Sequence, residues 1–200
     1  MPPRKQDKPT FIEEARRKQI IDAAVATIAE IGYVNASLAE IARVADISKG
    51  VISYHFESKD DLIDHTIDTI LRDLSIFVRQ QVPRPPAAVQ AQLEAYIDAS
   101  LRYMQENRVS FVALVDLWAS FTTVERRREY SQSMYDPCRS FLTTILEQGQ
   151  VRPALAATRA SLIQALIDGV MLQWVLDPEA VDLAACRHEA LRIAELMVQP

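Results

Sequence analysis

Glycine is scarce in this chain, with four in 200 residues, and histidine and cysteine are scarcer still at three and two. So little glycine, with almost no alternation of apolar and polar residues at period two, argues against sheet. No glycine-rich loop ends in Gly-Lys-Ser/Thr, and the patterns Gly-x-Ser-x-Gly, His-Glu-x-x-His and Glu-x-x-His are all missing. His55, His65 and His188 lie on separate stretches, so no catalytic constellation, metal site or cofactor is expected. Cys138 and Cys186 are too few for a disulfide framework and do not form a Cys-x-x-Cys pair, which leaves them as small core residues. Long apolar runs are lacking too. The N-terminus, MPPRKQDKPTFIEEARR, has no apolar stretch of signal length, and no later segment reaches about 18 uninterrupted apolar residues. The expectation is a cytoplasmic chain with no membrane partner.

What the chain does have is 49% hydrophobic residues, enough for a sizeable core, arranged almost everywhere at the 3.6-residue period of a helix. An all-α fold is predicted. A first helix, from about Glu13 to Ile31, carries Ile21, Ala24, Val25 and Ile28 on one face, with Thr10-Phe11-Ile12-Glu13 as a capping box and Gly32 as its end. Ser37-Leu38-Ala39-Glu40 is a second capping box before a short helix, Asp46-Ile47 makes a turn, and Ser48 caps a third helix to about Phe56. Six longer helices follow, at about 59–81, 87–106, 108–121, 125–148, 156–176 and 182–198, nine in total. Pro83, Pro85 and Pro86 separate the first two of these, Gly149 and Pro153 stop the fourth, and Asp177-Pro178 parts the last two. The change from short to long helices divides the chain into residues 1–58 and 59–200.

Charge divides the same way. The net charge of −5 conceals nine Lys/Arg against eight Asp/Glu in residues 1–59, and thirteen against nineteen in residues 60–200. At the extreme N-terminus Arg4, Lys5, Lys8, Arg16, Arg17 and Lys18 outnumber Asp7, Glu13 and Glu14, a pattern that also suits a plain solvated start.

The stretch DISKGVISYHFESKDDL, residues 46–62, places Gly50 in the first turn of a helix, where it is disfavoured by roughly 1 kcal/mol against alanine. Ile52 and Phe56, spaced i and i+4, can face the helices before them, which leaves Gly50 and Tyr54 on the far side. Two short helices joined by a tight turn form a helix-turn-helix, whose second helix enters the DNA major groove. On that reading Gly50 permits close backbone approach to a phosphate, Lys49 serves phosphate or guanine, Ser53 a base edge and Val51 a thymine methyl. Tyr54 and His55 reach phosphates on either side, His55 being equally suited to partial burial, and Lys59 anchors the backbone again at a helix N-terminus.

The residues Ile20 to Ala24, Gly32, Ser37, Ile41-Ala42, Ile47-Ser48-Lys49-Gly50, Tyr54-His55-Phe56, and Lys59 with Leu62 resemble the N-terminal signature of TetR/AcrR-type transcriptional regulators. Asp46 departs from it, standing in the turn where a small residue is more usual. The resemblance implies a nine-helix homodimer that represses its target promoter at a palindromic double-stranded operator and releases DNA when a small-molecule effector enters the C-terminal domain. It adds Ser37 to the DNA-contacting set. The later part of the chain, with its aromatic middle and paired final helices, is similar to choline-responsive betaine-pathway repressors.

In that later part Phe111 and Trp118 share a helical face with Leu114 and Val115, and Tyr96 and Tyr103 lie at i and i+7 on the helix before. Such a stripe is more often core than pocket; the resemblance makes Tyr96, Tyr103, Phe111, Asp116, Trp118 and Trp174 the candidate effector residues. Asp98, Asp116 and Asp168 interrupt apolar helices and need partners, mainly ion pairs or hydrogen bonds; one lining a cavity would favour a cationic effector. SLIQALIDGVMLQWVL carries two apolar stripes, Leu162, Leu166 and Val170 against Ile163, Ile167, Met171 and Trp174, and a single contact face cannot bury both. One faces its own bundle and the other a partner across a two-fold axis, with Leu162, Leu166, Val170, Ala190 and Ala194 assigned to the dimer interface. Two other classes stay open on the residues alone: an all-helical enzyme, and a helical interaction module that never touches DNA.

Overall fold

The computed structural model describes residues 10–199, and all regular structure among them is helical. In chain order the helices are α1 (Phe11–Ile31), α2 (Leu38–Val44), α3 (Lys49–His55), α4 (Lys59–Gln81) and α5 (Val89–Glu106), then α6 (Arg108–Ser120), α7 (Val124–Gln148), α8 (Pro153–Leu176) and α9 (Leu183–Met197). The expected nine helices are therefore present among the described residues. Arg4, Lys5, Asp7 and Lys8 lie outside them. The compact units divide between Ile67 and Asp68, inside α4, because Leu62 still belongs to the first core; the division drawn at residue 58 follows instead the start of the helix.

In the first unit local chemistry sets the ends of α1. Thr10 accepts from the Glu13 amide while the Glu13 carboxylate accepts from the Thr10 amide, a complete capping box, and Gly32 leaves the helix at φ 78°. The other two caps differ from expectation. Ser37 accepts from the Glu40 amide at 3.2 Å, but the Glu40 carboxylate turns to Arg43 at 2.8 Å, so this box is half formed. Ser48 stands at the N-cap of α3 without a side-chain capping bond. Between α2 and α3 the turn passes through Asp46 at φ 52°, a left-handed conformation that aspartate tolerates better than most residues. Ile20, Ile41, Ile52 and Leu62 are wholly buried at the centre of this unit, with Phe56 beside them.

In the second unit α7 and α8 form the most extensive helix pair, and α9 packs on α5 and α8. Pro153 behaves otherwise than as a stop, and a second proline lies inside a helix. Pro153 opens α8, at a position whose amide would be unbonded in any case, and Pro137 sits inside α7, where its missing N–H removes the bond to the Ser133 carbonyl. By length and composition α8 could cross a membrane, but Ile163, Ile167 and Met171 are built into its own bundle. The second stripe of α8 stays open, Leu162 being 51% exposed and Leu166 and Val170 half-buried. Ala190 and Ala194 correct the interface assignment: they are 2% and 1% exposed, forming the inner line along which α9 meets its own chain, and cannot face a partner. Cys138 and Cys186 are free and half-buried rather than fully core.

Candidate nucleic-acid interface and effector cavity

Helix α3 is held from its inner side. Ile52 and Phe56 are buried, so Lys49, Gly50, Ser53 and Tyr54 come to the exposed side and Val51 and His55 to its half-buried margins. Tyr54 is 75% exposed, an unusual position for a large ring without a partner surface. A β-carbon added at Gly50 would meet only Ser48 Oγ, at 3.7 Å, so nothing among the described residues requires glycine there. Ser53 Oγ donates back to the Lys49 carbonyl at 3.3 Å, which leaves its oxygen as an acceptor. Ser37 is exposed, and its hydroxyl oxygen caps α2, which leaves the hydroxyl as a donor.

Two side chains to which the sequence assigned no such role fix this face. The Arg17 guanidinium donates to the His55 carbonyl and lies 4.3 Å over the Phe56 ring, joining α1 to the end of α3. Gln19 Nε2 donates to the Ala45 carbonyl at 2.7 Å, joining α1 to the turn before α3. The signal for Arg17 was its place one turn before Ile20, Ile21 and Ala24, where a cation on the core stripe needs a partner. Arg16 also lines a cleft with Ile12 against Val51, Tyr54 and His55, so α1 contributes a cation to the same surface.

Charge on this surface is unevenly distributed. Burial, and then Arg17, push the His55 pKa below the ordinary histidine value, so His55 is a neutral ring at neutral pH. Lys59 Nζ donates to the Tyr33 carbonyl at 2.7 Å and sits 4.1 Å over the Tyr33 ring, and burial lowers its pKa. It braces the loop after α1 as well as standing at the N-terminus of α4, with two ammonium hydrogens left to donate.

In the second unit a narrow cavity, with room for about one water molecule, lies between α4, α5, α7 and α8. Its walls are Leu74, Val78, Met104, Pro137 and Phe141, and its polar lining is Arg79, Tyr96, Ser100, Cys138 and Gln164 with Ser75. A wider outer space of about 380 Å³ shares Leu74, Met104 and Gln164 with it and runs on to Asp68 and Arg72. Of the six candidate effector residues Tyr96 lines this cavity and the other five do not. Phe111 is core at 1% exposure; Tyr103 packs between it and Phe77; Trp118 meets Tyr130 edge-on at 5.9 Å; Trp174 lies under the Arg108 guanidinium; Asp116 is half-buried on α6. Helical periodicity brought these aromatics to inner faces, but it does not say which inner face is incompletely filled.

Behind the cavity runs a polar chain. The Tyr96 hydroxyl donates to Gln164 Oε1 at 3.1 Å, Gln164 Nε2 donates to Asp168 Oδ1 at 2.8 Å, and Tyr135 also hydrogen-bonds Asp168. Burial raises the Asp168 pKa, with those two bonds opposing it, and burial holds the Tyr96 and Cys138 protons on. The Cys138 thiol is therefore no nucleophile at neutral pH. Asp98 forms an ion pair with Arg187 across α5 and α9, the kind of partner expected for an embedded carboxylate.

Residues 20–66 match the family model described as bacterial regulatory proteins, tetR family, and residues 89–198 match the one described as BetI-type transcriptional repressor, C-terminal. The chain is 31% identical over 194 residues to the HTH-type transcriptional regulator BetI of Burkholderia mallei (strain NCTC 10229), covering 92% of this chain and 91% of that protein. With the regulator of the same name from Cronobacter sakazakii it shares 29% over 181 residues, covering 88% and 87%. Among solved structures, a putative transcriptional regulator from Pseudomonas aeruginosa PAO1 superposes with a TM-score of 0.78 at 23% identity, covering 92% of this chain and 89% of that one. The fatty acid degradation regulator FadR from Bacillus halodurans superposes at 0.77 and 21%, covering 95% and 96%. These last two likenesses concern the fold.

Proposed function

This chain belongs to the TetR family of transcriptional regulators, and from that membership we propose that it is a dimeric cytoplasmic repressor whose hold on a palindromic operator is released by a small molecule. The observation that carries the reading is the outer face of α3: Lys49, Gly50, Ser53 and Tyr54 exposed side by side on a helix whose inner face is pinned by Ile52, Phe56 and Arg17. A rigid short helix with a polar, glycine-bearing outer face suits insertion in the major groove. Lys49, Tyr54, His55, Lys59 and Ser37 take the phosphates, and Ser53 and Val51 read base edges. Leu162, Leu166 and Val170 supply the two-fold contact that sets two such helices on successive half-sites.

The effector occupies the outer space that adjoins the narrow cavity at Tyr96 and acts by favouring the dimer that does not fit the operator, so the two ligands weaken each other by the same factor, typically about 5- to 150-fold. A gel shift with the DNA upstream of the chain's own gene tests the regulator reading. A discrete, competitor-resistant complex is expected, weakened uniformly across sequences by Lys59→Ala and altered in base preference by Ser53→Ala. Binding no tighter to that DNA than to a scrambled duplex would overturn it.

A further inference from the structure

Three consecutive cations near the start of α1 go three ways. Lys18 pairs with Asp22 on the next turn at 2.9 Å, and Arg17 is taken up by the His55 carbonyl and the Phe56 ring. Arg16, half-buried, donates from one terminal nitrogen to Gln19 Oε1 at 2.7 Å. Gln19 is itself fixed, because its Nε2 donates to the Ala45 carbonyl at 2.7 Å; its oxygen is thereby turned to Arg16, and the guanidinium is tethered to the turn before α3. An amide oxygen orients a guanidinium without neutralising it, and leaves the other N–H donors of the fork free. Two carboxylates line the cleft beside Arg16, and neither is paired with it. Glu13 accepts from the Thr10 amide and hydroxyl at 2.7 and 3.0 Å, and among the described residues no ion pair joins Asp46 to Arg16.

The rest of the face shows why a cation matters here. On the side of this cleft α3 presents Val51, Tyr54 and His55, an apolar side chain, a hydroxyl and a neutral ring. Lys49 lies on the outer face and does not line the cleft, and Lys59, past the far end of α3, is held by the Tyr33 carbonyl and ring. A helix seated in the major groove has a phosphate strand along each flank, and on the flank toward α1 the available cation is Arg16. Resting on the reading of α3 as the helix that enters the groove, we propose that Arg16 is a DNA contact, its guanidinium gripping a backbone phosphate at the groove edge beside Tyr54 and held ready for it by Gln19. The planar fork fits two phosphate oxygens at once. Neighbouring arginines then have different tasks: Arg17 fixes α3 against α1, and Arg16 fixes the DNA against both.

Fluorescence anisotropy over a salt series, with the full chain and two duplexes, tests this: the DNA upstream of the chain's own gene and a scrambled version of it. Arg16→Ala should weaken both complexes by the same factor, roughly 10- to 100-fold, and lower the salt slope by about one per protomer. Arg16→Lys should keep the slope and regain part of the affinity. Single methylphosphonate linkages, each removing one phosphate charge, should reveal in each half-site a linkage that weakens wild type and leaves Arg16→Ala unaffected, a coupling that a purely structural role would not produce. The denaturation midpoint of Arg16→Ala should match wild type, since the lost bond to Gln19 is exposed and lies within one helix. The proposal is overturned if Arg16→Ala keeps the wild-type affinity and slope, if it binds more weakly at an unchanged slope, or if every linkage costs the variant as much as wild type. A wild type with no preference for the upstream DNA sinks the regulator reading instead, while the Arg16 slope on either duplex still decides the contact. A wild type that binds neither duplex sinks both.

Discussion

Gly50 answers its own oddity once the space around it is measured. A methyl at that position meets nothing tighter than ordinary van der Waals contact, and the backbone there is plain helix, so the residue brings the isolated chain no advantage. Gly50→Ala should therefore raise folding stability by up to about 1 kcal/mol, the helix-propensity difference, while lowering operator affinity. A variant that is more stable and binds the operator equally well would remove the close-approach role. Asp168 gives a second test with a defined sign. Its pKa is raised above 3.8 on folding, so the folded chain holds this proton more tightly than the unfolded one, and stability is lost as pH rises from 3.8 through the folded value. Asp168→Asn keeps partners for Gln164 and Tyr135. It should unfold at higher denaturant than wild type at pH 7, with the difference shrinking toward pH 4; a difference constant across that range would contradict the burial argument. The aspartate's isolation in an apolar run was legible in the sequence. Gln164 stands one helical turn before it and was within reach of the same periodicity, but Tyr135 was not, because it comes from α7 and is placed by tertiary packing.

At the scale of the element, the first unit was readable because its signals are local. Thr10 with Glu13, Gly32, and the i, i+4 pair Ile52 and Phe56 act within a few residues of one another. What fixes α3 in place is not local. Arg17 reaches 38 residues along the chain to the His55 carbonyl, and only the folded chain brings the two together. Arg17→Ala should cost about 1–3 kcal/mol of stability through the lost charge-assisted bond and the uncovered Phe56 ring, with Arg17→Lys recovering part of it because lysine lacks the planar fork. Operator affinity should fall with the salt slope unchanged, since Arg17 positions α3 without touching phosphate; a slope reduced by about one would make it a DNA contact instead. Pro153 shows the limit of reading punctuation from sequence alone. Proline marks a place where an amide is dispensable, and a first helical turn meets that condition as well as a break does.

Over the whole molecule the assembly turns on which stripe of α8 is left over. The chain fills its core with Ile163, Ile167 and Met171 and leaves Leu162, Leu166 and Val170 partly open to solvent, which is why they are proposed as the two-fold contact. On α9 the same periodicity pointed to Ala190 and Ala194, yet both are spent inside the chain; small residues let helices approach closely, whether the neighbour is the same chain or another. The two helices therefore predict opposite consequences for one chemical change. Val170→Arg places a charge where solvent still reaches and should give a folded, helical monomer, seen as a halved mass in sedimentation. With one reading helix per particle it should also lose most affinity for a palindrome while still binding a half-site weakly. Ala194→Arg forces an unpaired charge into a closed helix interface and should instead unfold the chain or leave it insoluble, since burying an unpartnered charge costs more than a domain of this size can spare. A Val170→Arg protein that sediments as a dimer and footprints normally would place the two-fold contact elsewhere, and a well-folded Ala194→Arg protein would show that α9 is not locked against its own bundle.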